Sequence, residues 1–265
     1  MQSPSYRENS SEIYNSPALA PGFFSRHLPS LMFYSRMSCV VVRAARTINS
    51  GRGKTDVYVQ SSVDIAKAVR SVGTRIIVEN SEVFTRLPSA CIVAANHMST
   101  LETMLLQGVV IPIRPMTFIA KESLTKYPIF STPLKGCDPI IVGRKNARDD
   151  LRMMLTGTHD RISRNISVFV FPQTTRTSQF SPEHFNSIGA KLARKEKVPL
   201  VPLALKTDFW GCGKLIKDIG KINPRLDVKF RFGEPLDASD EREANRKTIE
   251  FISNTLAEWD AIPSC

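Results

Sequence analysis

The segment Ala94-Ala95-Asn96-His97-Met98-Ser99-Thr100-Leu101-Glu102 sets an imidazole and a carboxylate five positions apart, where an apolar run gives way to a polar turn and a helical pattern. On one continuous helix that spacing puts the two side chains about 140° apart, so they meet only if His97 lies in the turn ahead of the helix. In that geometry the carboxylate accepts a hydrogen bond from one ring nitrogen and fixes the tautomer. The other nitrogen is left to take a proton from an alcohol, which makes His97 a general base. A structural reading stands beside it: Ser99 and Glu102 match the S-x-x-E capping box, with Glu102 reaching back to the N-cap backbone and His97 a polar turn residue. The local pattern allows both.

A second apolar run, Val168-Phe169-Val170-Phe171, delivers the polar loop Pro172-Gln173-Thr174-Thr175-Arg176-Thr177. Arg176 is its cation. A guanidinium among backbone donors and hydroxyls suits bidentate binding of a phosphate, and it equally suits bridging carbonyls at a strand end. The four histidines, His27, His97, His159 and His184, are dispersed without paired ligand spacing, so no metal is expected. Neither a Gly-rich phosphate loop nor a G-x-S-x-G nucleophile elbow occurs.

Positioning these groups takes a scaffold, and the hydrophobic pattern supplies one. Short β-rich runs at Arg75–Val78, Cys91–Ala95, Thr117–Ala120, Pro139–Val142, Ser167–Phe171, Leu200–Leu205 and Asp227–Phe232 alternate with helical stretches at Thr100–Val110, Ala147–Ser163, Ser187–Lys197 and Asp240–Trp259. The alternation predicts an α/β fold, a mixed and largely parallel sheet covered by helices, over residues 75–265. In such folds sites gather at strand C-terminal ends. Ahead of this domain, residues 29–74 read as a two-helix hairpin. In Leu31–Ile48, Phe33, Met37, Val40, Val41 and Ala44 share one side and Arg36, Arg43 and Arg46 lie opposite. Ser62–Val72 follows a turn around Gly51 and Gly53. The hairpin suits an internal packing role and an interfacial role on a membrane, which are compatible. Residues 1–28, rich in Ser, Pro, Asn and Tyr, read as a flexible tail.

Composition bounds the classes. A chain of 265 residues with 42% hydrophobic and 23% charged residues is an ordinary folded protein, neither disordered nor polytopic. Cys39, Cys91, Cys137, Cys212 and Cys265 form no CxxC pair or disulfide framework, which suggests a reducing compartment. A net charge of +11 attracts polyanions without choosing among nucleic acid, anionic lipid and phosphorylated ligands. No run reaches the roughly 20 apolar residues of a bilayer span, and no signal-peptide pattern opens the chain, so the expected placement is cytoplasmic, peripheral or monotopic on the inner face of a membrane.

Together the segments resemble the glycerolipid acyltransferase family typified by 1-acylglycerol-3-phosphate acyltransferases, with the blocks in the family's order. Asn96-His97 through Glu102 resembles the first block, and Lys121-Glu122-Ser123-Leu124 through Pro128 to Gly136 and Arg144 the second. Phe171-Pro172-Gln173-Thr174-Thr175-Arg176 resembles the third, usually Phe-Pro-Glu-Gly-Thr-Arg, and Val198-Pro199-Leu200-Val201-Pro202 the fourth. Glu102 stands where the family usually has Asp, Gln173 where it has Glu, and Thr174 where it has Gly. Glu102 keeps the charge at greater reach, Gln173 removes one, and Thr174 gives up a glycine's freedom at positive φ.

The resemblance implies acyl transfer from a thioester to a hydroxyl of a lysophospholipid or glycerol-phosphate-type acceptor, with His97 as base and Glu102 as its orienter. It implies that Lys121, Arg144, Thr175 and Arg176 hold the acceptor phosphate. No cofactor is implied beyond the donor, acyl-CoA or an acyl carrier protein, and the remaining partners are an anionic membrane surface and a phosphorylated lipid. Two other readings compete. One is a weak or inactive relative that binds anionic lipid, motivated by the three departures. The other is a nucleic-acid-binding protein, which lacks the interleaved aromatics or reader motif it would call for.

Overall fold

The pattern of β-rich and helical runs resolves into helices on both faces of one sheet. A computed structural model describes residues 14–15, 17–50, 54–126, 137–173, 175–213 and 219–261. The family-like positions Pro128, Gly136 and Thr174, and the turn at Gly51 and Gly53, lie outside them. In chain order the elements are α1 (Phe23–His27), α2 (Pro29–Asn49), α3 (Lys54–Arg70), β1 (Ile76–Glu79), α4 (Val83–Arg86), β2 (Ile92–Ala95), α5 (Leu101–Val110), β3 (Met116–Lys121) and β4 (Ile140–Val142). There follow α6 (Ala147–Ser163), β5 (Ser167–Val170), α7 (Ile188–Glu196), β6 (Leu200–Lys206), β7 (Val228–Phe232) and α8 (Glu241–Ala261).

The seven strands form one sheet in the order β1-β7-β6-β2-β5-β3-β4. Every neighbouring pair is parallel except β6 with β7. The mixed, largely parallel sheet is thus the one its sequence pattern predicts. Central strands β2 and β5 are buried at every residue, as expected where helices cover both faces. Period-two alternation divides the core: Val93, Ala95, Phe169, Val201 and Leu203 face the layer holding α2, α3 and α5, whereas Ile92, Ala94, Val168, Val170 and Leu200 face α6, α7 and α8. At Gly189 of α7 a Cβ would come within 2.8 Å of the Ala94 Cβ, so glycine lets this helix lie close over β2.

Because β2, β5, β3 and β4 are parallel neighbours, their C-terminal ends lie on one edge of the sheet. The pairings Ala94 with Val170, Phe118 with Phe169 and Lys121 with Val142 fix their relative register. His97 follows β2, Arg176 follows β5, Lys121 ends β3 and Arg144 follows β4. The topology alone collects onto one edge the residues that the sequence scatters from 97 to 176.

The hairpin is present, with Lys54 beginning the second helix earlier than the pattern at Ser62 suggests. The amphipathic face of α2 points inward. Phe33, Met37, Val40, Val41 and Ala44 are all buried, with Phe33 edge-on to Phe209 and Trp210. That face is turned toward the protein interior. Exposed apolar residues lie instead around α1, where Phe23, Phe24, Leu28 and Leu31 are 71%, 66%, 50% and 62% exposed.

The stretch read as a flexible tail to residue 28 contributes structure before that point. Asn15 extends the sheet edge: its N–H donates to the Ile76 carbonyl (2.8 Å), its Nδ2 to the Val78 carbonyl (2.8 Å), and its Oδ1 accepts from Val78 N (2.6 Å). Tyr14 is buried between α3 and α5, with its hydroxyl 3.1 Å from Ser62 Oγ and donating to the Leu105 carbonyl (3.4 Å). Gly108 makes the room, since a Cβ there would meet Ser62 Oγ at 2.5 Å and the Tyr14 hydroxyl at 2.6 Å. Composition missed this because one aromatic and one amide suffice to anchor a polar segment. Tyr14→Ala should therefore lower unfolding stability by about 3 kcal/mol in chemical denaturation, the cost of an unfilled aromatic site, whereas an undocked tail would leave stability unchanged.

Candidate active site

The turn after β2 carries His97, and its conformation is fixed from several sides. Its backbone N–H donates to Gln173 Oε1 (2.9 Å), and its carbonyl accepts from Thr177 N (3.0 Å). Both partners belong to the loop after β5, so the third block braces the first. The ring stacks on Phe171 with centroids 4.3 Å apart and planes at 22°, and Phe171 stacks in turn on Phe118. His97 Nδ1 lies 2.6 Å from Glu102 Oε2. An ionised carboxylate can only accept, so Nδ1 carries the proton and Nε2 is the ring nitrogen left with a lone pair.

Glu102 sits in the first turn of α5 and is fully buried. Its second oxygen, Oε1, accepts from Met98 N (2.7 Å), Ser99 N (2.8 Å) and Thr207 Oγ1 (2.6 Å). Glu102 thus makes both kinds of contact that the sequence allows, the ring nitrogen on one oxygen and the turn's backbone N–H groups on the other. Ser99 N to Glu102 is the returning half of a capping box; the Ser99 hydroxyl takes only a longer bond from Leu101 N (3.3 Å) and donates instead to Thr207 (2.9 Å). The extra methylene relative to Asp lets one carboxylate reach back to the turn while still meeting the ring.

Arg176 donates through Nη1 to Thr100 Oγ1, which draws the guanidinium to the start of α5 beside His97. Lys121 is exposed at the end of β3 and Thr175 in the loop after β5. Arg144 adopts a left-handed conformation (φ 55°) in the turn into α6, where Asp150 Oδ1 accepts from Gly143 N (2.9 Å) and Arg144 N (3.0 Å). His97, Lys121, Arg144, Thr175 and Arg176 all border one cavity of about 1030 Å³. Glu102 stands behind His97, out of the cavity. The strand ends supply the cations, and the hairpin and α5 supply an apolar wall that includes Val40, Val41, Ala44, Ile65 and Met104.

Three contributors were not legible in the sequence. Gln173, noted there for its missing charge, works through its amide: it accepts from His97 N and donates to Thr177 Oγ1 (3.0 Å). Phe171 reads as a strand residue yet stacks on the imidazole. Thr207 lies just beyond the fourth block, and only the position of its strand beside β2 could have pointed to it. Among the described residues no group of three His, Cys, Asp or Glu side chains could hold a metal ion.

Residues 75–206 match the family model described as Acyltransferase. The matched stretch, just under half of the chain, is an Acyltransferase family domain. It is 25% identical over 178 residues to a 1-acyl-sn-glycerol-3-phosphate acyltransferase of Pseudomonas aeruginosa, covering 65% of this chain and 66% of that one. It is also 25% identical over 193 residues to an uncharacterised acyltransferase of Schizosaccharomyces pombe, covering 70% and 67%. The alignments thus span about two thirds of these relatives' length. The crystal structure of the 1-acyl-sn-glycerophosphate acyltransferase PlsC from Thermotoga maritima shares the fold, with a TM-score of 0.68, 22% identity and coverage of 89% of this chain and 96% of that one.

The cavity wall can be probed through the less exposed of its two thiols, Cys137 and Cys212. Cys137 lines it, and burial pushes its pKa up to about 12, against a smaller opposing effect from its hydrogen bond with Tyr58. Raised this far, the thiol stays protonated at pH 8, and the thiolate is the reactive form. In a maleimide time course at pH 8 the exposed Cys39 and Cys212 should react first, with Cys137 slower by at least about tenfold until the protein is unfolded.

Proposed function

We propose that this acyltransferase-family chain transfers a fatty acyl group from a thioester, carried by coenzyme A or a carrier protein, to a hydroxyl of a lysophospholipid or glycerol-phosphate-type acceptor. What carries the reading is the contact of His97 Nδ1 with Glu102 Oε2 at 2.6 Å, which leaves Nε2 as the basic nitrogen of a residue bordering the cavity. In the step proposed, Nε2 takes the proton of the acceptor hydroxyl as its oxygen attacks the thioester carbonyl. The C–O bond forms, the C–S bond breaks, and the proton passes from Nε2 to the departing thiolate, so no acyl-enzyme intervenes. Donors of the loop after β5 face the developing oxyanion. Arg176, Lys121, Arg144 and Thr175 hold the acceptor phosphate, and the apolar wall from α2, α3 and α5 receives the acyl chain.

The same reading brings the protein to a bilayer peripherally. No helix among the described residues is long and apolar enough to cross a membrane. Contact is proposed through Phe23, Phe24, Leu28 and Leu31, with the exposed Arg26 beside them to attract anionic headgroups.

Glu102→Gln tests the dyad most sharply. A glutamine carbonyl can still accept from Met98 N and Ser99 N, but its amide then donates to Nδ1 and drives the proton to Nε2, the wrong tautomer for a base. Turnover should fall roughly a thousandfold or more with the melting temperature near that of wild type; near-normal turnover would refute the dyad. Arg176→Ala should raise the acceptor KM, at a cost of about 1.5–3 kcal/mol for a lost charge-assisted contact, and an unchanged KM toward a phosphorylated acceptor would remove that role. Replacing Phe23 and Phe24 together by Ser should reduce flotation with anionic vesicles while leaving turnover on a short-chain soluble donor intact; undiminished flotation would disprove the proposed contact.

A further inference from the structure

Thr207 follows β6 and is fully buried. A carboxylate cannot donate, so the hydroxyl proton of Thr207 points to Glu102 Oε1 (2.6 Å), and the Thr207 oxygen must accept from Ser99 Oγ (2.9 Å). The three groups form a chain with one sense of donation, Ser99 to Thr207 to Glu102. The donors Met98 N and Ser99 N belong to the same turn as His97 and move with it. Thr207 comes from 105 positions away along the chain, just past the end of a strand paired with β2. It ties the carboxylate to the sheet and not merely to its own turn.

We propose that Thr207 is a positioning residue for acyl transfer, holding Glu102 so that Oε2 faces His97 Nδ1. This rests on the reading of His97 as base. The terminal torsion of a glutamate is broad and roughly two-fold, and the extra methylene relative to Asp adds another rotatable bond. A carboxylate restrained only by its local turn can rotate its plane away from the imidazole. A third donor from the sheet removes that freedom, so that one oxygen is committed to the scaffold and the other to the ring. The longer side chain at position 102 and the hydroxyl at 207 thereby act as a matched pair.

The test is steady-state kinetics on Thr207→Val, which keeps the shape and removes the hydroxyl, with Thr207→Ala as a second variant should Val fail to fold. Expected are a kcat lower by about ten- to a hundredfold, as for loss of one hydrogen bond to a charged group, KM values for donor and acceptor within about twofold, and recovery of most activity in Thr207→Ser. In a Glu102→Gln background Thr207→Val should cause little further loss, because both act through one group. A wild-type kcat in Thr207→Val alongside an inactive Glu102→Gln would overturn the role of Thr207 alone. A loss in Thr207→Val that tracks melting temperature and is not recovered by Ser would do the same. Full activity in Glu102→Gln would overturn the dyad and this inference together.

Discussion

A buried carboxylate is the constraint around which the site is organised. Glu102 has no solvent to share its charge, and a group in that position must be surrounded by donors or it destabilises the fold. The chain meets that demand from two places: the turn after β2 gives two backbone N–H groups and the His97 Nδ1–H, and Thr207, just past β6, gives its hydroxyl. Satisfying the carboxylate and aiming the imidazole are the same act. The turn that holds the charge also sets where the ring stands.

The sheet makes that act possible at a distance. Asn96 stands at the end of β2 and locks to β6 through two 2.8 Å bonds, Nδ2 to the Leu205 carbonyl and Leu205 N to Oδ1. The two strand ends are thereby sealed just before one delivers His97 and the other Thr207. On the opposite side of β2, β5 turns into the loop whose Gln173 and Thr177 hold the His97 backbone. A parallel arrangement collects these loops on one edge, and the antiparallel β7 lies beyond them, where it extends the sheet toward β1 without competing for that edge.

What the sequence disclosed follows from which interactions are local or periodic. Runs of alternating or continuous apolar residues mark strands, and all seven appear within a few residues of where the pattern puts them. His97 and Glu102 are five positions apart, so their encounter depends on one turn and could be reasoned from spacing. Which partners Glu102 takes could not be reasoned so, because its two oxygens bind separately. Thr207, Phe171 and the amide of Gln173 act through contacts spanning more than 70 positions, and nothing in residue type betrays them. The amphipathic face of α2 shows the limit of periodicity: it reports that a face is apolar and not what lies against it, here Phe209 and Trp210 against Phe33 and the cavity against Val40, Val41 and Ala44.

The stack of His97 on Phe171, with Phe171 on Phe118 behind it, carries a further consequence when joined to the bond at Nδ1. A ring held on one face and at one nitrogen cannot turn over between two orientations, and its torsional entropy is lost on folding and not during turnover. A proton taken up at Nε2 then has no second exit through rotation of the ring and must leave from the atom where it arrived. Under the proposed chemistry the attacking oxygen and the departing sulfur must share a single nitrogen, so both substrates have to be lodged together before either can react.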